Sequence, residues 1–311
     1  ILIDFMNILF AGTPKSSANI LQSLINNDAF NIVGALTQPD KKGKRGNQLL
    51  ESEVSFLAKK HDIPLYKPVD LKKDSILNKI KLIKADYLIV IAYGKILPDW
   101  LINIPKICSI NVHFSLLPKY RGASPIQSAL LNGDKKTGIT YMKISSELDA
   151  GDIISSYEID IKDSDNKLIL EENLTSLCID NISDVLSKVS NSSISLKQQD
   201  HMNATYCKKI TKNESTINFD DKSENIINKF RAYFEWPGIN FLFKGVAIKI
   251  HGLQVLNMKS TGNPGDFLKI DKSGIHFNTR DMVIVITYLQ FPNKNPISSL
   301  DAYNSHQEFF K

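Results

Sequence analysis

Ile110-Asn111-Val112-His113-Phe114-Ser115-Leu116-Leu117-Pro118-Lys119-Tyr120-Arg121-Gly122 reads as a short apolar strand that ends on an amide and an imidazole and breaks at once into a turn. Side chains two apart on a strand share a face, so Asn111 and His113 are expected to point at the same spot. An amide donor beside a titratable ring suits a carbonyl that must become an oxyanion. Ser124-Pro125 then opens a helix, with Ser as its cap and Pro at its first position. Strand, polar tip, loop and helix make one α/β unit, and ligands of such sheets sit at the carboxyl ends of the strands.

Working outward, the same alternation repeats. Met6 to Gly12 is an apolar run closed by Gly, followed by Thr13 as a cap, Pro14 in the first turn, and a helix carrying Ala18, Leu21, Leu24 and Ile25. Asn31 to Thr37 reads as a second buried strand, Leu49 to Lys60 as a helix, and Ile63-Pro64-Leu65 as a short edge strand. Asp74 to Lys84 reads as helix and Asp86 to Ala92 as a strongly apolar strand. Downstream, Gly138 to Ile144 and Ile153 to Ile159 read as strands flanking the turn Leu148-Asp149-Ala150-Gly151. Leu168 to Val189 is a long helix with a stripe of Leu170, Leu174, Leu177, Ile182, Val185 and Leu186. The pattern predicts a doubly wound, mostly parallel, Rossmann-like domain over residues 6–189.

Composition then shifts. Ser190-Asn191-Ser192-Ser193 opens a polar stretch, read as a linker over 190–205. Beyond it come one helix near Ser223 to Phe234 and short strands at Phe241 to Phe243, Val246 to Val255, Gly274 to Phe277 and Met282 to Leu289. That spacing predicts a small β domain over 206–311.

The 311-residue chain has ordinary apolar and charged content and no run of about 18 apolar residues, so no membrane partner is expected. Ile1-Leu2-Ile3-Asp4-Phe5 lacks the basic region of a secretory leader. Cys108, Cys178 and Cys207 show no pairing motif and read as reduced thiols. His251 and His276 have no partner at metal-ligand spacing, and no metal is expected. Gly12-Thr13-Pro14 lacks the glycine spacing of a phosphate cradle and reads as a structural turn. The net charge is +5, and residues 205–311 hold 14 Lys/Arg against 10 Asp/Glu, an excess that permits a nucleic-acid partner without requiring one.

Asn111-x-His113, Ser115-Leu116-Leu117-Pro118, Arg121-Gly122, Ala123 to Gln127 and Leu148-Asp149-x-Gly151 stand in the order and separation of the folate-dependent formyltransferase signature. Each piece alone has a plain reading: a solvated strand tip, a turn after a strand, a local Asp-Gly turn. Together they resemble that family, most nearly its methionyl-tRNA branch, with Phe114 a departure where many relatives carry a small residue or Pro. The resemblance implies Asn111, His113 and Asp149 as the catalytic trio, with 10-formyltetrahydrofolate as formyl donor. It implies folate contacts from Ser115, Leu116, Leu117 and Pro118, a second pterin wall from Tyr93 to Pro98, and an OB-like barrel for the carboxyl-terminal domain.

A second loop bears on the acceptor. Thr37-Gln38-Pro39-Asp40-Lys41-Lys42-Gly43-Lys44-Arg45-Gly46-Asn47 carries four cations, Lys41, Lys42, Lys44 and Arg45, within five residues and directly after a strand. Alone, such a loop is a solvated surface. It resembles the insertion with which methionyl-tRNA formyltransferases enter the acceptor stem of initiator tRNA, Lys44 replacing the first Gly of their Gly-Arg-Gly. The resemblance therefore implies methionyl initiator tRNA as the acceptor, a monomer, and a cytoplasmic setting in a bacterial-type or organellar translation compartment. Two other classes of reading stay open at this point. One is a formyltransferase acting on a sugar nucleotide or glycinamide ribonucleotide; the other is a non-catalytic folate- or RNA-binding module.

Overall fold

The computed structural model describes residues 5–43, 49–73 and 76–311. The chain forms two compact units, one from residues up to Gly122 with Thr137–Ile159 and Glu171–Tyr206, the other from Ala123–Lys136, Asp160–Leu170 and Cys207–Lys311.

The first unit is built on a seven-stranded sheet. Met6–Gly12 lies inside it; the chain steps outward to Phe30–Leu36 and Leu65–Tyr66, then returns to the other side for Tyr87–Ile91 and Cys108–His113, all parallel. Lys136–Lys143 joins antiparallel to Cys108–His113, and Ile153–Asp160 closes that edge. Parallel strands covered on both faces need continuous apolar runs, and every residue of Tyr87–Ile91 is buried. The reversal of winding beside Met6–Gly12 is a topological switch point, where neighbouring loops part to leave a crevice.

The helix Lys167–Ser190 buries Leu170, Leu174, Cys178, Ile182, Val185 and Leu186 at the three-and-four spacing of one face. Cys178 takes the place expected of Leu177, which is only half-buried. Two sheet tyrosines pin this helix: Tyr141 OH donates to the Cys178 carbonyl and Tyr87 OH to the Leu186 carbonyl, both at 3.0 Å. Burial pushes the Cys178 thiol up to about 12, so it serves as apolar filling; Cys108 and Cys207 are buried as well.

Several local expectations give way to longer-range bonds. Thr13 does not cap its helix; its hydroxyl donates to the Tyr93 carbonyl at 3.1 Å and Pro14 holds the cap position. Ser124 likewise makes no cap bond, because its hydroxyl donates to the Lys208 carbonyl at 2.5 Å. Leu49–Leu50 pairs antiparallel with Lys41–Lys42, so the helix begins only at Glu53, behind Ser52, whose hydroxyl accepts from Ser55 N.

In the second unit, five strands run in the order Ile239–Phe243, Val246–Lys259, Met282–Gln290, Gly274–Asn278 and Phe267–Asp271, with Ile297–Ser298 added on Met282–Gln290. Every pairing is antiparallel. Val246–Lys259 serves two partners and is bulged around Gly252, the bend that lets one long strand turn between neighbours. Phe219, Phe241 and Phe277 pack at its centre with ring centroids 5.2–6.0 Å apart. Trp236 lies outside that cluster's burial, 49% exposed.

Candidate active site

Asn111 and His113 come from alternate positions near the carboxyl end of Cys108–His113, with Asn111 opposite Val90 and Met142, and His113 opposite Thr140. Asn111 is half-buried and its amide makes no hydrogen bond among the described residues. His113 is buried, with Nε2 2.8 Å from the Tyr120 carbonyl. A carbonyl only accepts, so Nε2 carries a proton and Nδ1 is the nitrogen turned toward Asp149, 3.8 Å from its Oδ2. That separation suits an ion pair or a bridging water and is too long for a direct hydrogen bond.

Asp149 sits in the left-handed region at φ +48°, the conformation that throws its side chain back across the turn, and its Oδ2 accepts from Gly122 N at 2.8 Å. The motif's glycine follows from close approach: a Cβ on Gly151 would fall 1.8 Å from the Lys143 carbonyl oxygen. Gly151→Ala must therefore push the turn away from its neighbouring strand. The expected cost is about 1–3 kcal/mol or more, a melting point lower by several degrees, and lost activity because Asp149 moves with the turn. An unchanged melting curve would show that the close approach has no such consequence.

Three consecutive residues hold the titratable pair. Tyr120 supplies the carbonyl for His113, Gly122 the amide for Asp149, and Arg121 between them is wholly buried. Arg121 donates from Nε and Nη2 to the Gln199 Oε1 at 3.1 and 2.8 Å, while its Nη1 reaches Tyr206 OH at 3.3 Å and Glu147 at 3.5 Å. The Gln199 Nε2 donates in turn to the carbonyls of Asp149 and Gly151, at 2.9 and 2.7 Å. In the sequence Arg121 stands out only as half of the Arg-Gly pair, and Gln199 does not stand out at all: it lies in the polar stretch 190–205, yet is 4% exposed. Nothing local marks a glutamine whose partners are some 50 and 78 residues away.

The turn after the strand is braced from within. Ser115 is wholly buried, its hydroxyl donating to the Lys119 carbonyl at 2.6 Å and its carbonyl accepting from Thr140 Oγ1 at 2.7 Å. Leu117 N donates to the same Thr140 oxygen. Ser115 and Leu117 thus shape the turn, and Leu116 and Pro118 remain partly accessible. At the switch point, the Tyr93 carbonyl accepts from Thr13 Oγ1 and from Gln38 Nε2, tying together the loops that follow three strands. The Tyr93 phenol is buried among apolar side chains and pushed up to about 12 by that burial. Ile96 is 89% exposed, whereas Leu97 packs against the core cluster. A half-buried amide with no partner among the described residues is available to the polar edge of a ligand, and Leu116 and Pro118 leave apolar surface accessible on the turn after the same strand.

Of the basic loop, the structure describes the stem: Lys41 and Lys42 are exposed on a short hairpin paired to Leu50 and Leu49. Lys44 and Arg45 lie outside the described residues. Among the described residues, no group of three or more His, Cys, Asp or Glu side chains could hold a metal ion, and no helix is long and apolar enough to cross a membrane.

Residues 6–186 match the formyl transferase family, and residues 209–307 match the formyl transferase carboxyl-terminal domain. The chain is 40% identical over 304 residues to the methionyl-tRNA formyltransferase of Sulfurihydrogenibium sp. (strain YO3AOP1), covering 97% of each. To the methionyl-tRNA formyltransferase of Thermotoga maritima it is 38% identical over 299 residues, 96% of this chain and 95% of that one. Its fold resembles that of a sugar 3N-formyl transferase solved with dTDP and 5-N-formyl-THF, with a TM-score of 0.69 at 22% identity over 94% of this chain and 99% of that one. It is also similar to an N-formyltransferase from Helicobacter canadensis, with a TM-score of 0.68 at 21% identity, covering 93% and 100%. With both family matches in chain order and 40% identity running through nearly the full length, the chain belongs to the formyl transferases, in their methionyl-tRNA formyltransferase branch.

Proposed function

We infer that this chain transfers the formyl group of 10-formyltetrahydrofolate to the α-amino group of methionyl initiator tRNA, with Asn111, His113 and Asp149 around the reacting carbon. The observation that carries the site assignment is the meeting of His113 Nδ1 and Asp149 Oδ2 at 3.8 Å, each held from behind by Tyr120 and Gly122. The bound folate supplies a formyl carbon at the oxidation level of an amide.

As the amine attacks that carbon, the carbonyl π pair moves onto oxygen, and the free Asn111 amide donates to the developing charge. His113, fixed through Nε2, presents Nδ1 to the same centre; protonated, it is a second donor, and its charge is balanced by Asp149. Asp149 Oδ2 is engaged by Gly122, which leaves the second oxygen to take the proton that the amine must lose, directly or through a water. Collapse of the oxyanion re-forms the C=O bond and releases the folate nitrogen, which regains a proton. Leu116 and Pro118 furnish the accessible wall for the folate, with Ser115 and Leu117 shaping the turn beneath.

Lys41, Lys42, Lys44 and Arg45 meet the phosphates of the acceptor stem, and residues 206–311 add further basic surface. The protein acts as a monomer in the compartment where initiator tRNA is charged. The test is formyl transfer to charged initiator tRNA by the purified chain: tight RNA binding without turnover would leave a binding module. Arg45→Ala is expected to reduce the slope of log affinity against log salt by about 1 and to raise KM for tRNA. Transfer to a small amine should stay unaffected, and unchanged tRNA kinetics would remove the loop from recognition.

A further inference from the structure

We infer that Arg121 and Gln199 are positioning residues for Asp149, acting as a buried strut behind the turn that carries it; this rests on the role given to Asp149 above. The Gln199 amide has every valence engaged, with Oε1 accepting twice from Arg121 and Nε2 donating to the Asp149 and Gly151 carbonyls. An amide so bonded at both ends can adopt only one orientation, so the distance from Arg121 to the turn is fixed. Arg121 is in turn the neighbour of Gly122, whose N–H grips the Asp149 carboxylate. The turn is therefore clamped twice from one dipeptide: at the carboxylate by a backbone amide, and at two backbone carbonyls through Gln199.

The clamp is backed by a strap. Thr205 accepts from Tyr120 N through its hydroxyl and from Arg121 N through its carbonyl, both at 2.8 Å, and Thr205 N donates to the Pro118 carbonyl at 3.1 Å. The guanidinium also meets Tyr206 OH and His201 Nδ1, at 3.3 and 3.4 Å. A charge buried this completely is retained only where neighbours satisfy it, and the acceptor that takes two of its N–H groups is the one that reaches Asp149. Neither Arg121 nor Gln199 needs to touch substrate; they set where the carboxylate stands relative to His113.

Gln199→Glu separates this role from a merely structural one. The carboxylate keeps an acceptor for Arg121 and neutralises its charge, but it cannot donate to the two turn carbonyls and repels them. We expect a fall in kcat of about tenfold or more, since a misplacement of about 1 Å can cost 10²-fold. KM for tRNA and for the folate should stay within about twofold when assayed well below the melting transition, which the buried repulsion lowers. Gln199→Met, an unbranched chain of similar length, breaks the strut without placing charge against the carbonyls and must show the same split between kcat and KM.

The decisive measurement is single-turnover transfer by Gln199→Glu in an Asp149→Asn background, where the same substitution should change the residual rate by less than about twofold. A full cost in both backgrounds, or wild-type kcat for either Gln199 variant, would overturn the strut while leaving Asp149 in its role. Wild-type turnover by Asp149→Asn alone would instead remove the reading on which the strut rests.

Discussion

Asp149→Asn is expected to lower turnover for formyl transfer by at least about 10²-fold while leaving tRNA affinity nearly unchanged. The substitution is chosen because Asn accepts the left-handed backbone at this position, φ +48°, at least as readily as Asp. Its amide oxygen can still accept from Gly122 N, so the turn and the neighbouring Gly151 keep their places. What is lost is the negative charge that faces His113 Nδ1 at 3.8 Å and the basic oxygen left over for the amine's proton. Proton transfer by a positioned side chain contributes about 10²–10⁴ to rate, which sets the floor of the expected loss. Steady-state kinetics with charged initiator tRNA, beside a direct binding measurement, gives the answer. Activity within a few-fold of wild type would take Asp149 out of the chemistry, and a parallel loss of binding would make its role architectural.

Asn111→Ala is expected to lower kcat by about 10²–10³ with little change in KM for either substrate. The side chain is half-buried at a strand end, and alanine preserves the backbone pairing opposite Val90 and Met142. Because the amide has no protein partner among the described residues, removing it leaves no orphaned group behind. The loss should therefore fall on the step in which oxygen becomes charged, the signature of a contact made only in the transition state. A raised KM with kcat intact would identify Asn111 as a ground-state binding residue.

Much of the architecture could be read from periodicity. The two-residue repeat of Asn111 and His113 and the continuous apolar run at Tyr87–Ile91 are local properties of their strands, and they survive in the fold. The stripe on Lys167–Ser190 was legible for the same reason, apart from the exchange of Leu177 for its neighbour Cys178, about 100° further round the helix. What failed were inferences about polar side chains. Thr13 and Ser124 have the chemistry of caps, but carbonyls brought close by tertiary structure claim their hydroxyls. Leu49 and Leu50 look like the start of a helix and instead pair with two lysines across a hairpin. The strand Phe267–Asp271 has little signal in the sequence, because the turn residues Asn263-Pro264-Gly265 crowd against it and its burial is only partial. Gln199 is the extreme case: a polar residue in a polar stretch, whose meaning lies entirely in groups that the chain laid down far earlier.

Residues 123–136 and 160–170 belong with 207–311, and this has a consequence for synthesis on the ribosome. The helix Pro125–Leu131 buries Ile126, Ala129 and Leu130, and its partner in the same unit is the helix Ser223–Ala232. About 100 residues separate the two, roughly 5–20 s of elongation, and in the later part of it the earlier helix emerges from the exit tunnel before its mate has been made. A nascent chain stalled in that interval displays the face that Ser223–Ala232 covers in the finished unit. Splitting the gene near codon 190, where the polar stretch suggests a natural joint, would yield an amino-terminal fragment that holds two segments of the other unit and clumps when expressed alone.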